Sequence, residues 1–183
     1  MLTILPLNEE NIGCFNQPDA RFLASDRIQL RFTRKGFLPD YIPMNAVEWR
    51  TVKPFPMEPE TLLADARYVC YFAFSDGRCV GQCVARTGEH RLCELLDVRA
   101  DSRYRRQGVA TALLNAVVAW ASDGGFAGLR AETTDELPVS CQFLERYSFM
   151  LGGVDMLWHA ADAGQAGRLP AMRESVLTFY KFF

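Results

Sequence analysis

The sequence predicts an α/β (α+β) fold in which helices pack on a mixed central sheet of about six to seven strands. Three β-rich runs come before one long helical segment, and strand-like and helical runs then alternate to the end of the chain. At these boundaries the spacing of apolar residues changes from every second position to every third or fourth, which distinguishes strands from helices. No repeat or linker interrupts the 183 residues, so we expect a single domain over 1–183, with 1–65 as a variable N-terminal region.

Charge and hydropathy exclude several classes of protein. The 20 basic and 22 acidic residues nearly cancel, so a broad basic surface of the kind that binds nucleic acid is not expected. No apolar run approaches the length of a membrane span, and the first ten residues lack the charged and apolar regions of a secretion signal. We therefore expect a cytoplasmic protein with no nucleic-acid partner and no membrane association.

The cysteines indicate a reducing compartment rather than a disulfide framework. The chain has six of them and no C-x-x-C pair, and four lie inside apolar runs, where a cysteine is usually a buried free thiol. Only two histidines, His90 and His159, are available as further ligands, so no metal site is expected.

The first sixty residues are the hardest to assign. The segment from Arg21 to Phe32 has spacing compatible with a helix or a strand, and Lys35-Gly36 breaks it. Five prolines follow between residues 37 and 59, and we interpret them as excluding a long regular element there. This irregular segment is either a surface loop anchored by its aromatic residues or a wall or lid over a substrate. We favour the lid for the segment as a whole, with Trp49 as a candidate substrate contact.

The next three elements are predicted from local signals. Tyr68–Phe74 and Cys79–Arg86 are β-rich runs joined through Asp76-Gly77, a typical hairpin turn. Leu92–Ala100 is a third strand. Val109–Ser122 carries an apolar stripe at helical spacing, and the glycines that follow are expected to end this helix.

The C-terminal third alternates strands with one helix. We expect a strand over Phe126–Thr133, a helix over Pro138–Tyr147 with proline in its first turn, and a strand over Phe149–Ala160. A loop rich in small residues follows over 161–170, and Ser175–Phe183 forms the last strand. Because that strand is rich in aromatic residues, it is a candidate for pairing across a homodimer.

The connection between the third strand and the long helix has the composition of an anion site. The first turn of a helix presents unpaired N–H groups and the positive end of the helix dipole. Gly108 and Ala110 allow a phosphate to approach the backbone, and arginines pair well with phosphate oxygens. The alternative is a solvated arginine-rich turn that begins an ordinary helix. The candidate cofactor-binding residues here are Arg105, Arg106, Gln107, Gly108, Val109, Ala110 and Thr111.

The spacing Arg-x-x-Gly-x-Ala after a strand resembles the pyrophosphate loop of the GNAT superfamily of N-acetyltransferases. It is neither a P-loop, which needs Gly-Lys-Ser/Thr, nor the three-glycine dinucleotide motif. Further segments are similar to the streptothricin acetyltransferase branch of that superfamily. They are Cys79–Gln82, Ala131–Thr133, Cys141–Phe143, Phe149–Asp155 and Thr178–Phe183.

The resemblance implies the GNAT fold, with 1–65 on the substrate side, and an N-acetyltransferase that uses acetyl-CoA. Its acceptor would be a primary amine of a small molecule, such as a streptothricin-like antibiotic, which attacks the thioester directly in a ternary complex. The backbone of Val98 and Ala100 would pair with the pantetheine arm. The alternatives are an acyl-CoA-binding sensor or interaction module with little catalysis, and a protein N-terminal acetyltransferase.

Two carboxylates are candidates for the base that deprotonates the amine, namely Glu94 and Asp97. Strand alternation places them on opposite faces unless a β-bulge reverses the parity, and either can instead be a structural acid. Glu132 is a candidate contact of the acceptor amine.

The departing thiolate can take a proton from a nearby acid. Leu144 occupies the position of the tyrosine that serves as the acid in the family, and a leucine cannot donate a proton. Tyr147 lies one turn later on the same helical face and is the candidate acid, with core packing as its alternative. Water is an alternative donor, or no donor is needed because a thiolate is a tolerable leaving group.

Overall fold

A computed structural model describes residues 1–34, 36–158 and 174–183. The strands and helices of these residues follow in chain order. They are β1 (Leu2–Pro6), β2 (Arg21–Thr33), β3 (Gly36–Thr51), α1 (Pro59–Ala64), β4 (Tyr68–Ser75), β5 (Arg78–Thr87), β6 (Leu92–Ala100), α2 (Val109–Asp123), β7 (Gly128–Thr134), α3 (Pro138–Arg146), β8 (Met150–Asp155) and β9 (Val176–Phe182). Single 3-10 turns occur at Ile12–Cys14 and Ser102–Tyr104.

Seven of the strands form one sheet in the order β1-β4-β5-β6-β7-β9-β8, which confirms the predicted α/β sheet. The other two strands, β2 and β3, form a separate two-stranded ribbon. Strand β9, which we considered for pairing across a homodimer, lies between β7 and β8, so both of its edges are already hydrogen-bonded. Within the described residues no helix is long and apolar enough to cross a lipid bilayer.

The chain divides into two compact units. The first comprises Met1–Phe22, Arg50–Arg130 and Phe182–Phe183, and the second comprises Leu23–Trp49 and Ala131–Lys181. The expectation of one domain over 1–183 stays a prediction.

The first unit is built on the antiparallel strands β1, β4, β5 and β6. Asp76 and Gly77 both have positive φ, 49° and 75°, as the predicted two-residue hairpin turn between β4 and β5 requires. Helix α2 packs closely on this sheet, since a Cβ at Gly81 would lie 2.6 Å from a Val109 methyl carbon. The buried side chains of α2 confirm most of the predicted apolar stripe and are Val109, Leu113, Leu114, Val117 and Ala121.

The prediction that prolines exclude a regular element is wrong for residues 36–51. Strand β3 runs for 16 residues and contains Pro39 and Pro43. These two prolines are four positions apart, so their nitrogens face the same edge of the strand. Among the described residues β3 pairs only with β2, which leaves one edge of β3 without a ladder, and a missing N–H at that edge removes no ladder hydrogen bond. Residues 36–51 of the segment that we favour as a lid are thus a strand of a two-stranded ribbon rather than a loop. The role of the segment as a lid stays a prediction.

Helix α1 was also missed within the proline-rich segment. It is only six residues long and begins with Pro59, which is favourable at the first helical position because its missing N–H has no helical acceptor there.

The second unit contains the β2–β3 ribbon from Leu23 to Trp49, β7 from Ala131, α3, β8 and β9 as far as Lys181. The Tyr41 hydroxyl donates to the Glu145 carboxylate on α3 at 2.5 Å, so this aromatic residue anchors the ribbon. The predicted C-terminal elements are present with shifted ends. The last residues of the strand predicted to end at Ala160 and the loop predicted over 161–170 lie outside the described residues.

Candidate functional site

The connection from β6 to α2 ends in an exposed set of backbone donors. Gly108 is the residue before the helix and has a left-handed conformation, with φ of +83°. The first helical hydrogen bond runs from the Ala112 N–H to the Gly108 carbonyl at 2.9 Å. The N–H groups of residues 109–111 therefore have no acceptor within the helix and point outward from its start. A Cβ built on Gly108 meets no atom within 4 Å, so this surface is open.

Arg105 is a half-buried cation that lies a few positions before these backbone donors in the sequence. Its Nε is buried and has no hydrogen-bond partner among the described residues. Burial also lowers the pKa of Arg105, because desolvation disfavours the charged form. Buried polar atoms are nearly always hydrogen-bonded, so an unsatisfied cationic donor here favours an anionic ligand. Arg106 and Gln107 are more exposed, and the Gln107 amide donates to the Arg103 carbonyl at 3.2 Å.

Asp101 holds the turn that precedes Arg105. Its N–H donates to the Val80 carbonyl at 2.8 Å, and its carboxylate accepts from the backbone and the guanidinium of Arg103 at 3.0 Å. The Arg103 contact lowers the pKa of Asp101. Ser102 donates through its hydroxyl and its N–H to Asp19, at 3.0 and 2.7 Å. We missed both aspartates in the sequence, although Asp101 directly follows β6, where aspartate is a common turn and cap residue.

The pairing of β6 with β5 fixes the direction of the backbone polar groups of Val98 and Ala100. Asp101 bonds to Val80 on β5, and in an antiparallel pair only alternate residues point their N–H and C=O at the partner strand. The register continues without a shift from Ala100 opposite Gly81 to Val98 opposite Cys83. The polar backbone groups of these two residues therefore face away from β5.

A β-bulge in β6 brings the two candidate bases to one face of the sheet. Val84 lies opposite Asp97, whereas the next residue, Ala85, lies opposite Leu95, so Leu96 is the extra residue. The extra residue reverses the alternation, and Glu94 and Asp97 share a face. This decides the parity that the sequence left open.

Asp97 belongs to a buried polar network. Its carboxylate accepts from the Arg99 guanidinium at 2.7 and 2.8 Å and from the Gln82 amide at 2.9 Å. Gln82 in turn accepts from the Asn16 N–H at 2.7 Å, and Arg99 donates to the Lys53 carbonyl at 3.2 Å. Both oxygens of Asp97 are therefore engaged.

Glu94 is more accessible and is also ion-paired. Its side chain is 20% exposed, and one oxygen lies 2.5 Å from Arg86. The other oxygen is 3.6 Å from Arg130, beyond hydrogen-bond distance. Both carboxylates on this face thus have arginine partners. Only Glu94 has an oxygen whose arginine contact is beyond hydrogen-bond distance.

The remaining candidates belong to the second unit. Trp49 is 69% exposed on β3, and Glu132 is exposed on β7. The Tyr147 ring contacts the rings of Phe143 and Phe149, with centroids 6.1 and 6.3 Å away, and Lys181 lies 5.2 Å from its centroid. Leu144 is buried. The catalytic role of Tyr147 stays a prediction.

Comparison with known proteins decides the family. Residues 35–149, more than half of the chain, match the model of the Acetyltransferase (GNAT) family. The chain belongs to the GNAT family. Membership confirms the expected fold and the expected class of enzyme, an acyltransferase.

The GNAT relatives found in sequence and in structure include several named for streptothricin. The chain is 25% identical to streptothricin acetyltransferase A of Bacillus subtilis (strain 168), over 98% of this chain and 99% of that protein. It is 28% identical to a streptothricin acetyltransferase of Escherichia coli, over 51% and 53% of the two chains.

Two solved structures share the fold over nearly their whole length. A protein of Bacillus anthracis str. Ames, assigned as a streptothricin acetyltransferase and solved with acetyl coenzyme A, superposes with a TM-score of 0.87, 19% identity and full coverage of both chains. A nourseothricin acetyltransferase superposes with a TM-score of 0.77 and 19% identity, over 98% of this chain and 96% of that one.

Proposed function

We propose that this GNAT protein is an acetyl-CoA-dependent N-acetyltransferase that modifies a primary amine of a small molecule. The observation that carries the proposal is the buried Arg105 Nε without an acceptor, which precedes the open helix start at Gly108. The leading acceptor class is a streptothricin-like antibiotic, because the full-length relative and a structural neighbour carry that name.

The described residues fit the cofactor. The N–H groups of residues 109–111 and the Arg105 guanidinium would hold the pyrophosphate, with Arg106 adding charge at the exposed side. The backbone polar groups of Val98 and Ala100, which face away from β5, would hold the pantetheine arm. When bound, acetyl-CoA supplies an acetyl group as a thioester.

The amine must lose a proton before it can form a bond to the acetyl carbon. We assign this base to Glu94, since one of its oxygens has only the 3.6 Å contact to Arg130. Asp97 is then a positioning residue that holds the bulged part of β6 through Arg99 and Gln82. Tyr147, or water in its place, would donate the proton that balances the charge of the departing thiolate. Glu132 and Trp49 are the proposed contacts of the acceptor.

A thiol-release assay with purified protein tests the activity directly. Acetyl-CoA is incubated with streptothricin, with a panel of polyamines and with peptides that have free N-termini. Release with streptothricin supports the proposal, and release only with the peptides would instead support a protein N-terminal acetyltransferase.

The second candidate function is an acyl-CoA-binding module with little turnover. Leu144 favours it, because the residue at the family's tyrosine position cannot donate a proton. Tight binding of CoA without thiol release from any amine would support this candidate. All six cysteines are free, which suits the cytoplasmic location that we infer for either function.

A further inference from the structure

Phe22 lies beneath the guanidinium of Arg105. The Arg105 Cζ is 5.9 Å from the centroid of the Phe22 ring, over its face. Phe22 is almost completely buried in the first unit, so its ring position is set by core packing. An arginine over an aromatic face within about 6 Å is attracted by the ring quadrupole, and the attraction is stronger where water is partly excluded.

The segment that carries Phe22 is also tied to the turn that carries Arg105. Asp19 accepts from the hydroxyl of Ser102 and, through its own carbonyl, from the Ser102 N–H. Arg21 binds the same Asp19 carboxylate at 2.7 Å. The Phe22 ring and the Arg105 guanidinium therefore belong to two segments that are hydrogen-bonded to each other. These segments are about eighty positions apart in the chain.

We propose that Phe22 is a positioning residue for the cofactor phosphates, because it holds the Arg105 guanidinium over its ring with Nε free to donate to an anion. This inference rests on the proposed function, in which Arg105 binds the pyrophosphate. An arginine side chain has considerable rotamer freedom, and a ring that fixes the guanidinium beforehand reduces the entropy lost on binding. Lysine would not substitute, since a compact ammonium neither stacks as a plane nor offers an Nε donor.

A double-mutant cycle tests the coupling. The affinity for CoA is measured by calorimetry for the wild type, Phe22→Leu, Arg105→Ala and the double variant. We expect Phe22→Leu to weaken CoA binding by roughly threefold to tenfold in the wild-type background and by less than about twofold when Arg105 is already alanine. Phe74→Leu, which removes a different, partly buried ring of the same unit, is the control and should leave CoA affinity unchanged.

A second variant keeps the test valid if Phe22→Leu does not fold. Pentafluorophenylalanine at position 22 retains nearly the same shape but reverses the charge distribution of the ring, so the face repels a cation. CoA affinity should fall with this ring as well, and only while Arg105 is present.

The outcomes separate the inference from the proposed function. Phe22 is a packing residue only if its replacement by leucine lowers CoA affinity equally in the wild-type and Arg105→Ala backgrounds. The same conclusion follows if the fluorinated ring leaves CoA affinity unchanged. If the wild type does not bind CoA, or if Arg105→Ala binds CoA as well as the wild type does, the phosphate site itself is wrong.

Discussion

Asp97 and Arg99 form a bidentate ion pair on one face of β6, and their side chains are only 7% and 3% exposed. The pair is two residues apart on the same strand, so it does not close a turn or link distant segments by itself. Gln82 and the Lys53 carbonyl supply the remaining contacts. A buried charge is tolerated only when it is paired and hydrogen-bonded, and this site meets that condition.

Asp97→Asn should destabilise the protein strongly. The neutral amide leaves the Arg99 guanidinium buried without its counter-charge, and we expect the free energy of unfolding to fall by about 3–5 kcal/mol. Urea denaturation followed by circular dichroism measures this. Asp65→Asn is the matched control, because Asp65 pairs with Arg67 two positions away in the same manner but Arg67 is largely exposed. If the two substitutions cost the same, the burial of the pair is unimportant.

Glu94→Gln should lower turnover without weakening cofactor binding. If Glu94 is the base, we expect kcat to fall by about 100-fold, the ordinary scale for a general base, while CoA affinity stays within about twofold. Steady-state thiol release and calorimetry check the two quantities. Glu89→Gln, at an almost fully exposed acid, is the control. Full activity of the Glu94 variant would mean that this residue only pairs with Arg86.

Gly108→Ala should reduce the affinity for CoA by about tenfold. An alanine is strained at a φ of +83°, and its Cβ projects into the open surface where a phosphate approaches. The strain should also cost ~1 kcal/mol of stability. Gly77→Ala is the matched control, since Gly77 has a similar φ of +75° and equally open surroundings in the β4–β5 turn. It should lose stability and keep CoA affinity. An equal effect of both variants on CoA binding would contradict a phosphate site at Gly108.

The stabilising contribution of Asp101 should disappear in acid. Arg103 holds the pKa of Asp101 in the folded protein below its ordinary value of 3.8. A depressed pKa stabilises the fold above the unfolded-state pKa, and this contribution is lost as the pH falls through the folded value. The difference in unfolding free energy between the wild type and Asp101→Asn should therefore be constant above about pH 5 and shrink below about pH 4. Urea melts at several pH values measure it, and a difference that grows in acid would refute the assignment.

Elements whose signals are local were predicted well from the sequence. The Asp76-Gly77 turn, the limits of β6 and the start of α2 directly after Gly108 all depend on the chemistry of adjacent residues. Strand β3 was missed because proline usually excludes a strand, and only the pairing partner decides whether a lost N–H matters. The candidate phosphate loop was predicted from signals as local as those of the turn.

The sequence by itself determined the α/β class, the order of most elements and the loop that begins α2, because periodicity, turn residues and the glycine with positive φ act over a few positions. Only the tertiary structure decided which face Glu94 occupies, what surrounds Asp97 and what lies beneath Arg105. Those relationships arise from strand register, including one extra residue at Leu96, and from segments such as Asn16 and Phe22 that are remote in the chain. Contacts of that kind leave no local pattern, since they exist only once packing has brought the segments together.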